Sequence, residues 1–260
     1  MESSSPNVES TIFNQHYAVE DYYPMTKKKL GKVYIFNHLT FKEGNPQIRY
    51  AHIRDCKDIE EVFQNLKFDV ISYQNLAYKD ILDKVTTIAE MDYSDYGCLI
   101  IFVLTQRKNG KIFAVDTDYY PDVFWNTFNK SSTLMHKPKL IFLQCPYDDE
   151  DDDIIMQPTG FAPTNYSAPD VPDVLLMYSC FDKFISWRSH VTGSSFIQCL
   201  CKAFKQHAEN SDVLTILTFL NRTLSFNFEK SQSRGANGRR NIVIIVSTLD
   251  KLLYIGSKNN

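Results

Sequence analysis

Several features are missing from this sequence, and each absence excludes a class of protein. No run approaches the roughly 18 apolar residues that a membrane-spanning helix needs. The amino terminus has neither the basic stretch nor the apolar stretch of a secretory signal. No two of the 6 cysteines have the C-x-x-C spacing of zinc sites and redox pairs. We therefore expect a cytoplasmic protein with reduced thiols and without a metal or another cofactor.

A basic excess is also missing. The formal net charge is −3, and an uninterrupted acidic run at residues 148–153 supplies more than this excess, so the rest of the chain is weakly basic. A charge this small and this scattered predicts no basic face for nucleic acid and no attraction to a membrane surface. We expect proteins or peptides as partners.

Apolar runs that alternate with helical stripes are what the sequence does contain. Hydrophobic residues make up 43% of the 260 residues, which is enough for one large core. Between the apolar runs, side chains such as Ile59, Val62 and Phe63 repeat with helical spacing. The pattern predicts an α/β domain with a mostly parallel sheet and helices on both faces. The apolar runs lie at residues 33–36, 68–71, 98–104 and 139–143.

The organisation breaks at residues 148–173, where the acidic run is followed by several prolines. A stretch of this length and composition predicts an exposed linker. The predicted parts are a short flexible leader at 1–30, a large portion at 31–147, the linker, and a smaller portion at 174–260.

Three stretches of the chain resemble the caspase family. Residues 184–198 contain Ser-Trp-Arg and then Gly-Ser-Ser-Phe-Ile-Gln, similar to the family's substrate-groove segment S-W-R and G-S-W-[YF]-[VI]-Q. Residues 137–147 are similar to the G-K-P-K-L-F-[FI]-[IL]-Q-A-C-R-G segment that carries the nucleophile, and 103–110 to the segment that carries the catalytic histidine. The resemblance implies a caspase-like three-layer fold: six strands, mostly parallel with an antiparallel edge, and about five helices.

The positions that carry catalysis in caspases differ here. Gln106 and Arg107 stand where the family has histidine and glycine, and Pro146 stands where it has the nucleophilic cysteine, one residue after Cys145. A cysteine protease needs a thiolate and a group that exchanges its proton, and glutamine does not titrate. These departures predict a pseudoprotease that is not an enzyme.

A weak cysteine protease remains open as an alternative. Its nucleophile would be Cys145, and His52 or His136 would serve as the substitute base. Against this alternative, a shift of one residue along a strand points the side chain to the opposite face.

The substrate pocket of the family has its counterparts in this chain. By the resemblance, Arg49, Gln144 and Arg188 are the residues that hold the substrate's aspartate, and Trp187 lies beside them in the groove. Arginine forks suit a carboxylate because they form two charge-assisted hydrogen bonds. Either the pocket still binds aspartate-containing peptides, or these residues serve packing and hydrogen bonding alone.

The last apolar run resembles the strand through which caspases pair. Ile242, Ile244 and Val246 lie in it, and a bare edge strand of this composition would aggregate without a cover. The first functional hypothesis is regulation of an active caspase paralogue in apoptosis by heterodimerisation, with activation favoured over inhibition. The same strand could instead pair two copies of this chain, or it could be buried by helices. The alternative is a decoy or adaptor whose pocket binds aspartate peptides or apoptosis inhibitors.

The linker has two interpretations. In the family it is cut after aspartate during maturation, and it can equally be a solvated acidic loop. The candidate cleavage sites are Asp148, Asp149, Asp151, Asp152, Asp153, Asp170 and Asp173.

Overall fold

The computed structural model describes residues 21–25, 27–42, 50–146, 169–179, 193–232 and 243–256, with the backbone alone for 188–189 and 226–232. Several predicted positions fall outside the described side chains. They are Arg49, Trp187, Arg188, Ile242, and the linker from 147 to 168.

A six-stranded sheet forms the centre of the molecule, in the order β11-β8-β7-β3-β1-β2. The strands are β1 (Lys29–Asn37), β2 (Asp69–Gln74), β3 (Tyr96–Leu104), β7 (Lys139–Gln144), β8 (Val174–Tyr178) and β11 (Ile244–Ser247). Neighbouring strands run parallel from β2 to β8, and β11 is antiparallel to β8. The predicted mostly parallel sheet with an antiparallel edge is confirmed.

Five α-helices in the described part of the chain cover the two faces of this sheet. On one face lie α1 (Tyr50–Asn65), α4 (Ser195–His207) and α5 (Val213–Gln232), and on the other lie α2 (Tyr78–Glu90) and α3 (Val123–Phe128). Alternate strand residues enter opposite layers, because successive side chains of a strand point to opposite faces. In β3, for example, Phe102 packs with the first group of helices and Ile101 with the second.

The helical stripes in the sequence become the buried faces of these helices. Ile59 and Phe63 of α1 and Val85 of α2 have no exposed surface. Helix α4 begins after Ser194, whose side-chain oxygen accepts a hydrogen bond from the backbone N–H of Ile197 at 3.4 Å and so caps the helix.

Short strands and one 3-10 helix (Ser132–Leu134) complete the described elements. The strands β4 (Arg107–Lys108), β5 (Lys111–Phe113) and β6 (Asp118–Tyr119) form a small antiparallel sheet directly after β3. The strands β9 (Arg188–Ser189) and β10 (Gly193–Ser194) form a hairpin before α4.

The predicted leader is too long at its carboxyl end. Tyr23 and Met25 are buried, and the backbone N–H of Tyr23 donates to the carbonyl of Leu252 at 3.0 Å. The Tyr23 hydroxyl donates to the carboxylate of Asp173 at 2.7 Å. These contacts tie residues 21–25 to the carboxyl-terminal part of the chain, so this segment belongs to the folded domain.

The predicted linker is also too long, because its last residue is packed. Asp173 is 4% exposed and adopts a positive φ of 60°, and its carbonyl accepts from the N–H of Lys139 at 2.8 Å. A buried residue immediately before β8 does not offer a protease an extended, accessible peptide. The prediction of Asp173 as a candidate cleavage site is therefore wrong. The candidates from 148 to 153 lie outside the described residues.

Candidate functional site

The ends of β3 and β7 bring the predicted catalytic positions together. Leu104 is in register with Gln144, and the backbone N–H of Thr105 donates to the Gln144 carbonyl at 3.0 Å. Two residues further on, the N–H of Arg107 donates to the carbonyl of Pro146 at 3.2 Å. Residues 104–107 thus run beside 144–146, at the carboxyl edge of a parallel sheet, where α/β proteins place their ligand sites.

Gln106 and Arg107 are both buried at this edge. Gln106 is 3% exposed, and its carbonyl accepts from the N–H of Phe113 at 3.2 Å. Arg107 is 2% exposed, and its guanidinium lies 5.7 Å from the centroid of the Tyr178 ring. A cation over an aromatic face in a desolvated site is a favourable contact of about 2 kcal/mol. Arg107 therefore brings a positive charge to the interior beside β8.

Cys145 lies inside the second core layer, with 1% of its surface exposed. Its Sγ lies 3.8 Å from the Leu143 carbonyl, a long contact for a thiol donor. The pKa of the neighbouring Tyr119 phenol is raised, first by burial and also by Tyr78 and Cys145. This thiol is buried within a layer of apolar and aromatic residues, whereas reactive thiols are partly exposed.

The three predicted pocket residues are only partly described. Gln144 ends β7 and is completely buried. For Arg188 the structure gives the backbone, which pairs with Ser194 in the hairpin of β9 and β10. Binding of an aspartate by these residues and Arg49 stays a prediction.

The two histidines proposed as substitute bases lie at different ends of the sheet. His52 is buried in α1, and its Nδ1 lies 3.0 Å from the carbonyl of His38 just after β1. His136 is exposed and precedes the first residue of β7, so the length of that strand separates it from Cys145. Of the two, His52 lies near the carboxyl edge where β1 ends.

A carboxylate pair on α1 contacts the groove segment. Asp55 is completely buried, and its Oδ1 accepts a hydrogen bond from the backbone N–H of Ser194 at 2.8 Å. One turn later, Asp58 accepts from Nε2 of Gln198 at 2.6 Å and from Nε of Arg54 at 3.1 Å. These contacts join α1 to the hairpin and to α4.

Sequence reasoning missed Asp55 and His38, although each had a signal. Asp55 lies four residues before Ile59 and so on the apolar face of the predicted helix, where a carboxylate needs a partner. His38 follows β1 directly and is completely buried. Among the described residues no cluster of His, Cys, Asp and Glu could hold a metal ion, and no described helix is long and apolar enough to span a bilayer.

Comparisons with known proteins agree with this architecture. The family model for the caspase domain matches residues 30–254. Caspase-1 of Spodoptera frugiperda is 34% identical over 247 residues, which cover 92% of this chain and 83% of the relative. Caspase drICE of Drosophila melanogaster is 32% identical over 262 residues, which cover 97% of this chain and 76% of the relative. A solved structure of the Spodoptera frugiperda pro-caspase-1 superimposes with a TM-score of 0.79 at 33% identity, covering 92% of this chain and 95% of that one.

These relationships contradict one of our predictions. From the departures at Gln106 and Pro146 we predicted that the chain is not an enzyme. The comparisons show that this prediction is wrong, because relatives at 34% and 32% identity are named caspases, which are cysteine proteases. The departures concern a few positions, while the similarity extends over nearly the whole chain and its fold. With the matched domain, the shared fold and relatives above 30% identity, the chain belongs to the caspase family.

Proposed function

We propose that this caspase-family protein acts as one half of a caspase pair. In this proposal β11 joins the matching strand of a second caspase chain, a paralogue or another copy, and pairing changes the activity of the partner. Activation is favoured over inhibition, because pairing at the sheet edge stabilises the partner's loops. The setting is apoptosis and the compartment is the cytoplasm, in agreement with the free thiols of the described cysteines, Cys56, Cys98, Cys145, Cys199 and Cys201.

The observation that carries this proposal is the half-covered edge strand β11. It hydrogen-bonds with β8 on one side, and no other described strand pairs with its outer side. Ile244 and Val246 pack against one core layer and Ile245 against the other, yet all three remain partly exposed. An apolar edge strand with unpaired backbone groups is a template for another strand.

A short physical path leads from this edge to the site. Ile244 is in register with Tyr178 of β8, and the ring of Tyr178 lies against the guanidinium of Arg107. Arg107 is in turn hydrogen-bonded through its backbone N–H to Pro146. A partner strand that orders β11 would therefore bias the loops that follow β3 and β7, which is how an interface can act on a site.

The test is a pair of charge substitutions on the two edges of the sheet. Ile244→Asp places an unpaired charge in the proposed interface and should weaken pairing on the order of a hundredfold, since a buried unpaired charge costs several kcal/mol. Ile71→Asp is the matched control, because Ile71 is 38% exposed on β2, the opposite edge. Sedimentation velocity measures pairing of the chain with itself and with a caspase from the same cell, and peptide hydrolysis measures the partner's activity.

Two results would contradict the proposal. One is a wild-type chain that stays monomeric and leaves the activity of the added caspase unchanged. The other is an Ile244→Asp variant that pairs as tightly as the Ile71→Asp control.

A second candidate function is the binding of aspartate-containing peptides, as a decoy or adaptor. The observation that favours it is the buried contact between Asp55 and Ser194, which holds the groove hairpin against α1. Replacing Arg188 with alanine tests this candidate, because the arginine would supply charge-assisted bonds to the peptide carboxylate. Unchanged affinity for a peptide that ends in aspartate would exclude it.

A further inference from the structure

Asp55 is a carboxylate in a place where charge is costly. It has no exposed surface, and its neighbours one and two turns along α1, Ile59 and Val62, are core residues. Removing a carboxylate from water costs several kcal/mol even after the protein relaxes, and an apolar side chain of similar size is often neutral or stabilising in such a site. The free energy of folding alone therefore does not explain why position 55 is an aspartate.

The groove hairpin is built closely around this carboxylate. Besides the 2.8 Å hydrogen bond from the Ser194 N–H, a Cβ atom at Gly193 would lie 2.4 Å from Oδ1 of Asp55. Gly193 also has a φ of +85°, a conformation that side chains rarely adopt. Two independent features, a hydrogen bond and a position that only glycine fills, bring the backbone of the hairpin onto Asp55.

The hydrogen bond between Asp55 and Ser194 lies directly beside the backbone of Arg188. Ser194 is in register with Arg188 across the two strands of the hairpin. On the other side of Ser194, helix α4 begins, and its Gln198 is held by Asp58 of α1. The hairpin is thus anchored to α1 at the residue opposite Arg188 and again one turn into α4.

We propose that Asp55 is a positioning residue for the peptide-binding groove: its carboxylate sets the place of the β9–β10 hairpin, and hence of Arg188, relative to α1. The ligand class is a peptide with an aspartate side chain. This inference rests on the second candidate function above. It is independent of pairing through β11.

The experiment uses the full chain and two variants that alter the contact from opposite sides. Asp55→Ala removes the oxygen that accepts from the Ser194 N–H, and Gly193→Ala forces the hairpin away from an unchanged Asp55. The control is Glu61→Gln, because Glu61 also joins α1 to α4, through a 2.8 Å exposed ion pair with Lys205. Fluorescence anisotropy measures the affinity for a labelled tetrapeptide that ends in aspartate, with the matching peptide that ends in asparagine as the reference.

The expected result is a loss of the preference for aspartate over asparagine on the order of tenfold in both variants, because displacing a binding group by about 1 Å is enough for such an effect. The control keeps the wild-type preference, and all three variants pair as the wild type does. A general loss of stability would lower the affinity for both peptides together and leave their ratio unchanged.

The outcomes separate the inference from the function on which it rests. If the wild type prefers the aspartate peptide and loses this preference in Arg188→Ala but not in Asp55→Ala and Gly193→Ala, the inference alone is wrong. If the wild type shows no preference for aspartate, the candidate function and the inference both fail.

Discussion

Acidification should destabilise this protein through His38. The imidazole has no exposed surface, and its burial lowers the pKa to about 4 from the ordinary value of 6.5. The carbonyls of Leu76 and Leu104 and the charge of Asp116 favour the protonated form, but they do not offset burial. The folded protein therefore keeps His38 neutral at a pH where the unfolded chain protonates it.

The sign and size of the effect follow from this difference in pKa. Between pH 6.5 and about 4 the unfolded chain binds a proton that the folded chain does not, so the free energy of unfolding falls as the pH falls. The contribution is complete above pH 6.5 and is lost as the pH approaches 4. At about 1.4 kcal/mol for each pKa unit, the total is on the order of 3 kcal/mol.

Urea unfolding followed by tryptophan fluorescence at several pH values in this window measures the effect. His38→Gln removes the titrating group, so its free energy of unfolding should lose about 2 kcal/mol less than that of the wild type between pH 7 and pH 5. His136→Asn is the control, because His136 is exposed and asparagine tolerates its φ of 59°. Equal pH dependence in the wild type and His38→Gln would refute the reasoning.

Two further predictions concern the core and the thiols. Phe63→Ala should lower the free energy of unfolding by about 3 to 5 kcal/mol, measured by urea unfolding, because the ring is completely buried against three other aromatic rings. Cys98 and Cys201 should resist iodoacetamide in the folded protein and react after denaturation, as judged by mass spectrometry, because burial raises the pKa of each thiol to about 12.

Each of these predictions has an opposing result. Ile53→Ala, at a residue 49% exposed, is the control for the core, and an equal loss in both variants would contradict the assigned burial of Phe63. Rapid labelling of Cys98 in the native state would show that its layer opens.

The sequence by itself determined the layers of the fold. Apolar runs with β-rich composition became β1, β2, β3 and β7, and the stripe of Ile59, Val62 and Phe63 became the buried face of α1. These features are local, because the period of apolar residues reports which side of a strand or helix is buried. The resemblance to caspases, carried by short motifs, was confirmed over the matched domain.

Only the tertiary structure decided which distant residues meet. Tyr23 and Asp173 are separated by 150 positions and Asp55 and Ser194 by 139, yet each pair shares a hydrogen bond. Without knowledge of the residues that contact it, a polar segment at the amino terminus is predicted to be a flexible leader. For the same reason the linker, like the leader, was predicted too long. His38 is a similar case, because the pKa of an imidazole depends on the groups that surround it in three dimensions and not on its neighbours along the chain.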